Sequence, residues 1–290
     1  MPELPEVEVL VRHLRPLLRG RKIRAVDVRR LKVIAPASAR TFARSVRGAS
    51  FAGVSRRGKY LVFDLRTPRT ARPLCILGHL GMTGRMYLLA AKAPLPKHAA
   101  VVMELGRTKF VFEDTRYFGR LTLDCGAIAR LGPEPLEECF TAAGLVRALR
   151  GSRQPIKVKL LDQSLVAGIG NIYASEALFR ARLSPTLPAR DLAPAQAARL
   201  WRAIRAVLRE AIRCGTTVPL NYAGTGDRDG LFYFGSAPGA PDYYGERLRV
   251  YDRAGRPCIT CGTPIKRQVQ AARSTYYCPQ CQADGADPAT

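Results

Sequence analysis

The sequence predicts an α+β protein: an N-terminal helix with a β-sandwich or barrel, followed by a helical region and a C-terminal cysteine-rich β-hairpin. Three observations lead to this prediction. Apolar residues recur at helical spacing near the start, short β-rich runs occupy residues 22–125, and two C-x-x-C pairs lie near the end. With 290 residues, 47% of them hydrophobic and 24% charged, the chain is long enough for about two domains.

The first element is an amphipathic helix over residues 4–18. Its apolar residues share one face: Leu4, Val7, Leu10, Val11, Leu14, Leu17 and Leu18. Gly20 follows as a typical stop signal. Short runs then predict strands: KIRAVDV, YLVFDL, CILGHL, AAVVMEL, KFVFED and RLTLDC.

Beyond a predicted linker at 131–136, helical periodicity returns. The predicted helices cover 137–150, 157–181 with a break near Gly168 and Gly170, and 192–213. Residues 215–246 lack periodicity and predict a long loop that is functional or mobile. The polar tail from Asp284 onward is predicted to be disordered.

Charge is the strongest compositional signal. With 47 Lys and Arg against 23 Asp and Glu, the net charge is +24, which favours a polyanionic partner. Nucleic acid is the first candidate and an anionic membrane surface the second, while codon-driven compositional bias is the non-functional alternative. The start MPELPEVEVL does not resemble a signal peptide, and no apolar run reaches the ~18 residues of a membrane span. We therefore expect a cytoplasmic, nucleoid-associated protein.

The two C-x-x-C pairs predict one structural Zn²⁺ ion. Their members are Cys258, Cys261, Cys278 and Cys281. Four thiolates complete a tetrahedral site and leave no position open for substrate. A redox-active pair would need a βαβ context, and a zinc deaminase would need an H-x-E motif, neither of which the sequence contains. The remaining cysteines are predicted to be small buried residues: Cys75, Cys125, Cys139 and Cys214.

The N-terminus is a candidate reagent. Removal of Met1 would expose the secondary amine of Pro2, and an α-amino group titrates near about 7.7–8.0, so part of it is nucleophilic at neutral pH. Attack on an aldehydic sugar carbon gives an iminium ion, which acidifies the adjacent C–H bond and permits elimination of phosphate. Glu3 and Glu6 are close enough in sequence to transfer the protons. The alternative is that proline and acidic residues merely begin a helix.

Five motifs occur in order along the chain: MPELPEVE, RRGKYL (56–61), HLGMTGR (79–85), GIGNIYASEALF (168–179) and the four-cysteine finger. Together they resemble the formamidopyrimidine-DNA glycosylase family, within the group that includes endonuclease VIII. The resemblance implies a β-sandwich catalytic domain (1–130), a helix-two-turn-helix DNA-binding domain with a long lesion-capping loop (131–246) and a zinc finger (247–283). It also implies excision of oxidised purines, such as 8-oxoguanine and formamidopyrimidines, followed by β,δ-elimination.

The resemblance also implies roles for individual residues near the start of the chain. Pro2 matches the Schiff-base nucleophile and Glu3 the general acid, with Glu6 as a supporting carboxylate. Lys59 matches a lysine that contacts the damaged strand's phosphates and assists catalysis.

Six further residues match the family's DNA contacts. Lys157, Asn171 and Arg273 correspond to phosphate-binding positions. Met82, Arg116 and Phe118 correspond to the side chains that fill the space left by a flipped nucleotide. Taken without the resemblance, Met82 and Phe118 would be predicted to pack in the core.

Two departures from the family pattern leave the preferred DNA lesion undecided. EDTRYFG has Tyr117 where the family usually has a second arginine, and the loop 221–246 is unusually long. Leu4 favours the formamidopyrimidine branch over the endonuclease VIII branch. Two alternatives remain: endonuclease VIII-like activity on oxidised pyrimidines, and a non-catalytic zinc-finger DNA-binding protein. The expected partner is double-stranded DNA with oxidised bases or abasic sites, bound by a monomer without membrane attachment.

Overall fold

A computed structural model of the chain describes residues 2–67, 73–214 and 247–283. Within them, residues up to Arg130 form one compact unit and residues from Leu131 onward a second. The predicted loop over 215–246 and the predicted disordered tail lie outside the described residues. In the described part of the chain, no helix combines the length and apolar character that a membrane span requires.

Helix α1 (Leu4–Leu18) opens the first unit, as the apolar spacing predicts. Its buried apolar side chains form one stripe: Leu4, Val7, Leu10, Val11, Leu14 and Leu18. Leu17, which the sequence pattern grouped with them, is exposed instead. From Val7 to Leu18 the stripe joins the core of the sandwich, so burial of one face holds the helix in place.

Eight strands follow in the described part of the first unit. They are β1 (Ala25–Val28), β2 (Ser50–Arg57), β3 (Tyr60–Arg66), β4 (Leu74–His79), β5 (Arg85–Ala90), β6 (Ala99–Glu104), β7 (Thr108–Glu113) and β8 (Arg120–Thr122). They form two antiparallel four-stranded sheets, in the orders β1-β6-β7-β5 and β2-β3-β4-β8. Phe63 of the second sheet packs edge-on against Phe110 of the first, with ring centroids 5.7 Å apart. The two sheets are separate, so the fold is a sandwich and not a barrel.

Two short helices, α2 (Leu31–Ile34) and α3 (Ala39–Val46), interrupt the predicted β-rich region. The Ser38 hydroxyl caps α3 by accepting a hydrogen bond from the Thr41 amide at 3.1 Å. Helices of four and eight residues are too short for a helical period to stand out among strands, which is why the sequence pattern did not predict them.

The prediction of small buried cysteines is wrong for Cys75, Cys125 and Cys139. Cys75 and Cys125 form a disulfide, and neither is fully buried. β4 pairs antiparallel with β8, which brings Cys75 next to the residues that follow β8. A separation of 50 residues concealed this proximity. Cys139 is exposed, also against prediction, whereas Cys214 is buried as predicted.

The second unit contains α4 (Ala142–Leu149), α5 (Ile156–Leu160), α6 (Asn171–Arg180) and α7 (Pro194–Arg213). Helices occur in each of the three predicted regions, but residues 137–141 are not helical, and the predicted break near Gly168 and Gly170 is a longer connection, 161–170, between α5 and α6. The segment 131–136 is not a free linker. The Gly132 amide donates to the Gln163 carbonyl at 2.9 Å, and the Ala167 amide donates to the Pro133 carbonyl at 3.0 Å. These bonds fix the segment on the α5–α6 connection.

A hairpin of β9 (Lys266–Gln270) and β10 (Arg273–Tyr277) completes the second unit. The chain leading into it is fastened to α6 by Glu176, whose buried carboxyl group accepts backbone hydrogen bonds from Arg249, Val250 and Tyr251 at 2.8–3.0 Å. Burial raises the pKa of Glu176, although these hydrogen bonds oppose the rise. The α+β class and the order of its parts are confirmed.

Candidate functional site

Helix α1 packs along β2, the strand that leads into the β2–β3 turn. Arg56 Nε is 3.0 Å from Glu8 Oε2, and Arg15 Nε donates to the Val54 carbonyl at 2.9 Å. Going from Arg15 back to Glu8 along the helix therefore corresponds to going from Val54 to Arg56, towards the C-terminal end of β2. Because residues 2–6 precede Glu8, we infer from this direction that they lie towards the β2–β3 turn.

Pro2, Glu3 and Glu6 are all buried. The Glu3 amide donates to Glu6 Oε2 at 2.8 Å, so Glu6 caps the start of α1. The structural role considered from the sequence is therefore real. The same bond fixes the backbone immediately after Pro2, which is what a reactive terminal amine would need in order to hold one position.

Lys59 occupies the β2–β3 turn and is only 7% exposed. The next residue, Tyr60, pairs with His79 at the end of β4, and their rings lie 4.9 Å apart. His79 also pairs with Arg120 of β8. Tyr60, His79 and Arg120 thus lie side by side across three strands, at one end of the second sheet. Lys59 lies just beyond this end.

His79 is a neutral hydrogen-bond donor at this end of the sheet. Burial, followed by the positive charges of Lys59 and Arg120, lowers the pKa of His79 from 6.5 to about 4. The Gly81 amide donates to His79 Nδ1 at 3.0 Å, which places the single proton of the neutral ring on Nε2. His79 therefore offers an N–H group, and no added charge, beside Lys59 at neutral pH.

Two loops cross between the sheets at the same end of the sandwich: 80–84 joins β4 to β5, and 114–119 joins β7 to β8. They bring together Met82, Arg116 and Phe118, and Met82 and Phe118 are each 47% exposed. Arg116 contacts both, with Nη1 3.3 Å from Met82 Sδ and Cζ 4.7 Å from the Phe118 ring centroid. These three residues form a projecting cluster, called the wedge below.

Tyr117 lies between the two wedge residues of its loop but turns the other way. Its φ of 52° is in the left-handed region, and its ring packs against the core and under the Arg30 guanidinium at 4.9 Å. Its hydroxyl is 3.4 Å from His98 Nδ1. At the position where the resemblance implies an exposed cation, this chain has a packed aromatic ring.

In the second unit, the predicted phosphate-binding residues are also close together. Lys157 is fully buried and donates a hydrogen bond to Asn171 Oδ1. Asn171, the first residue of α6, donates from Nδ2 to the Ser274 carbonyl at 2.8 Å. Arg273, adjacent to Ser274 at the tip of the hairpin, is exposed. Lys157 thus orients Asn171, and Asn171 fastens the hairpin that carries Arg273.

The four finger cysteines fit one metal ion: Cys258, Cys261, Cys278 and Cys281. Their sulfur atoms all lie within 4.8 Å of one another, and individual pairs are 3.4 and 3.9 Å apart. Tetrahedral zinc with bonds of about 2.3 Å requires sulfur spacings of roughly 3.8 Å. Backbone amides donate to two of the sulfur atoms at 3.4 Å, as expected where thiolates are held for a cation. The zinc prediction is confirmed.

Sequence reasoning missed Asp114, a fully buried acidic residue at the base of the wedge. Its carboxyl group accepts hydrogen bonds from Thr83, Arg116 and Gly119. The available signal was its position: an aspartate at the start of a loop commonly accepts from the amide two residues later.

Family comparisons cover most of the chain. Residues 1–121 match the model for the formamidopyrimidine-DNA glycosylase N-terminal domain, and residues 131–220 match the H2TH domain of the same enzymes. Residues 255–283 match the zinc finger found in FPG and IleRS.

Whole-chain similarities agree. The formamidopyrimidine-DNA glycosylase of Thermus thermophilus is 44% identical over 292 residues, which cover 98% of this chain and 100% of that protein. Two Lactococcus lactis Fpg structures, one a mutant with Fapy-dG DNA and one with oxidised-pyrimidine DNA, are each 30% identical. They superpose with TM-scores of 0.85 and 0.83, and each match covers 98% of this chain and 100% of that structure. The chain belongs to the formamidopyrimidine-DNA glycosylase family.

Proposed function

We propose that this DNA glycosylase excises oxidised purines, 8-oxoguanine and formamidopyrimidines, from double-stranded DNA and then cleaves the abasic strand as a lyase. The observation that carries the proposal is the Glu3 amide bonded to buried Glu6, which fixes the backbone immediately after Pro2. A terminal amine held in this way is a positioned nucleophile.

The nucleophile in this proposal is the nitrogen of Pro2 after removal of Met1. It bonds to sugar C1′ as the bond from C1′ to the damaged base breaks, and ring opening leaves an iminium ion. The iminium withdraws electrons from C2′, so a proton passes from C2′ to the carboxylate of Glu3, which has given its own proton to the ring oxygen during ring opening, and the 3′ phosphate departs. A second elimination releases the 5′ phosphate, which gives the β,δ-elimination that the family resemblance implies.

Proton transfers fall to the carboxyl group of Glu3, and the neighbouring Glu6 supports it. Glu3 is assigned as general acid, and Glu6 as the group that holds the Glu3 backbone. Lys59, with the Nε2–H of His79 nearby, is assigned to the phosphates of the damaged strand.

DNA binding is assigned to both units. The wedge of Met82, Arg116 and Phe118 would fill the vacated position in the duplex, since exposed apolar side chains are the type that proteins insert between bases. Asn171 and Arg273, with Lys157 behind Asn171, would hold backbone phosphates. We assign catalysis to residues 1–130, DNA binding and lesion capping to 131–246, and zinc binding to 247–283. The zinc ion, with four thiolate ligands, supplies structure and no reaction step.

A second candidate substrate is an oxidised pyrimidine. Tyr117 packs inward at the position where a second arginine is usual, which removes one cation from the region expected to face the opposite base. A Lactococcus lactis relative has been crystallised with oxidised-pyrimidine DNA. We also propose a monomeric enzyme associated with the cytoplasmic nucleoid, since a net charge of +24 favours non-specific binding to DNA.

The test is strand nicking of matched duplexes that contain 8-oxoguanine, formamidopyrimidine or thymine glycol. We expect the purine lesions to be cut fastest and Pro2→Gly to lower the single-turnover rate at least about 1,000-fold, since the ring-held secondary amine is replaced by a primary amine on a flexible residue. Pro16→Ala is the matched control, because Pro16 is exposed near the other end of α1. Full activity in Pro2→Gly would contradict the mechanism, fastest cleavage of thymine glycol would contradict the substrate, and binding without nicking by the wild type would indicate a non-catalytic protein.

A further inference from the structure

We propose that Asp114 is the positioning residue of the wedge: its buried carboxyl group joins the two wedge loops and sets the geometry in which Met82, Arg116 and Phe118 enter the duplex. The proposal rests on the assigned role of the wedge and extends it to a residue with no contact to DNA. It concerns a fully buried side chain beneath an exposed cluster.

The first step is the bond that crosses between the loops. Thr83, adjacent to Met82 in one loop, donates its hydroxyl hydrogen bond to Asp114 Oδ1 at 2.5 Å. The other loop is bound by the same carboxyl group. The Arg116 amide donates to Oδ1 at 3.1 Å and the Gly119 amide to Oδ2 at 2.7 Å. One carboxyl group thus fixes the backbone on both sides of Phe118 and the residue next to Met82.

The second step is the direct packing of loop backbones. A Cβ atom on Gly81, whose φ is +60°, would lie 2.7 Å from the Phe118 carbonyl carbon and 2.6 Å from the Gly119 nitrogen. A Cβ atom on Gly119 would lie 2.8 Å from the His79 carbonyl oxygen and 3.2 Å from Asp114 Oδ2. Side chains at either position would separate the loops. The two glycines therefore allow the contact that the carboxyl group stabilises.

The third step is the arrangement of the side chains above this base. Arg116 lies against both Met82 and Phe118, and Lys32 of α2 lies 5.5 Å from the Phe118 ring centroid. The wedge is therefore assembled as one body in the protein without DNA. Preassembly matters because side chains that are already ordered lose less conformational entropy on insertion. A loss of about 1 Å in positioning can lower a rate about 100-fold.

The experiment uses the full chain with a Pro2→Gly background for fluorescence and a wild-type Pro2 background for chemistry. Fluorescence of 2-aminopurine placed next to 8-oxoguanine in a duplex reports unstacking as the wedge enters. Borohydride trapping on a single-stranded abasic oligonucleotide reports the chemistry without any need for a wedge. The variants are Thr83→Val, which removes only the hydroxyl that crosses between the loops, and Asp114→Asn, which leaves an amide where two acceptor oxygens were.

We expect Thr83→Val and Asp114→Asn to slow the fluorescence change and single-turnover nicking of the duplex about 10- to 100-fold. Trapping on the single strand should stay within about twofold of wild type. Thr83→Ser, which restores a hydroxyl, should recover the rate. Asp124→Asn is the matched control, since Asp124 also accepts a backbone amide, that of Gly126, in an exposed turn after β8.

Wild-type fluorescence kinetics in Thr83→Val and Asp114→Asn would overturn the proposal. An equal loss of single-strand trapping would also overturn it, because the defect would then be a general loss of structure in the first unit. Failure of the wild type to trap abasic DNA would count against the proposed chemistry alone, since the fluorescence arm reports the wedge independently.

Discussion

In the proposed mechanism, single residues at one end of the sandwich carry the chemistry, and one of them also has a structural role. Glu6 begins a helix and also fixes the backbone next to Pro2. The sequence indicated both roles but could not choose between them, since proline and acidic residues are common in any first helical turn. The exposed positions of Met82 and Phe118 were predictable only from family resemblance, because an isolated apolar residue in a β-rich region is usually buried.

His79 predicts a specific pH dependence of stability. Its pKa is 6.5 when unfolded and about 4 when folded, so the unfolded state binds more protons between these values. The folded state is therefore favoured most above about pH 6.5, where His79 is neutral in both states, and this contribution to the free energy of unfolding is lost as the pH falls towards 4. Between pH 7 and pH 5, wild type should lose about 2 kcal/mol more than His79→Gln.

The measurement is urea unfolding at the two pH values, followed by pulsed hydrogen exchange of peptides from β3 and β4. These strands lie in the first unit, and His79 ends β4, so their protection reports the relevant structure. Equal pH dependence in wild type and His79→Gln would show that the imidazole is not held neutral by its surroundings.

At the scale of elements, structure that depends on a local sequence pattern could be predicted, whereas structure that depends on long-range strand pairing could not. The α1 helix, the long helices of the second unit and the finger hairpin follow from spacing within short windows. The Cys75–Cys125 disulfide depends on the pairing of β4 with β8, which no local pattern contains. The α2 and α3 helices were missed because they are short.

The finger hairpin should depend on zinc. A small two-stranded hairpin buries too little apolar surface to be stable alone, and structural zinc supplies on the order of 10 kcal/mol in such units. We expect a chelator to abolish hydrogen-exchange protection in β9 and β10 and to lower duplex affinity at least about tenfold, while β3 and β4 stay protected.

Substitutions identify the ligands in that experiment. Cys258→Ser should lower the zinc content measured by mass spectrometry of the native protein, because Cys258 is one of the four clustered thiols. Cys139→Ser is the matched control, since Cys139 is exposed and outside that cluster. Protection of β9 and β10 that survives complete metal removal would contradict a structural role for zinc.

At the scale of the whole molecule, the charge of +24 indicated a polyanion without naming the residues that bind it. The structure separates exposed Arg116 and Arg273 from buried Lys59 and Lys157. Burying a lysine costs folding free energy unless its ammonium group has a hydrogen-bonding partner. The buried lysines therefore position neighbouring groups as well as supplying charge. Composition predicts the class of partner, whereas only the fold shows which charged side chains are exposed and which are held in place by neighbours.

The central claim is that the nitrogen of Pro2 forms the covalent bond to DNA. The most direct measurement is borohydride reduction of the full-length protein on duplex DNA with an abasic site, followed by trypsin digestion and mass spectrometry of the cross-linked peptide. We expect the reduced sugar on Pro2, in the peptide of residues 2–12. A cross-link on Lys59, or an undiminished cross-link in protein that retains Met1, would contradict it.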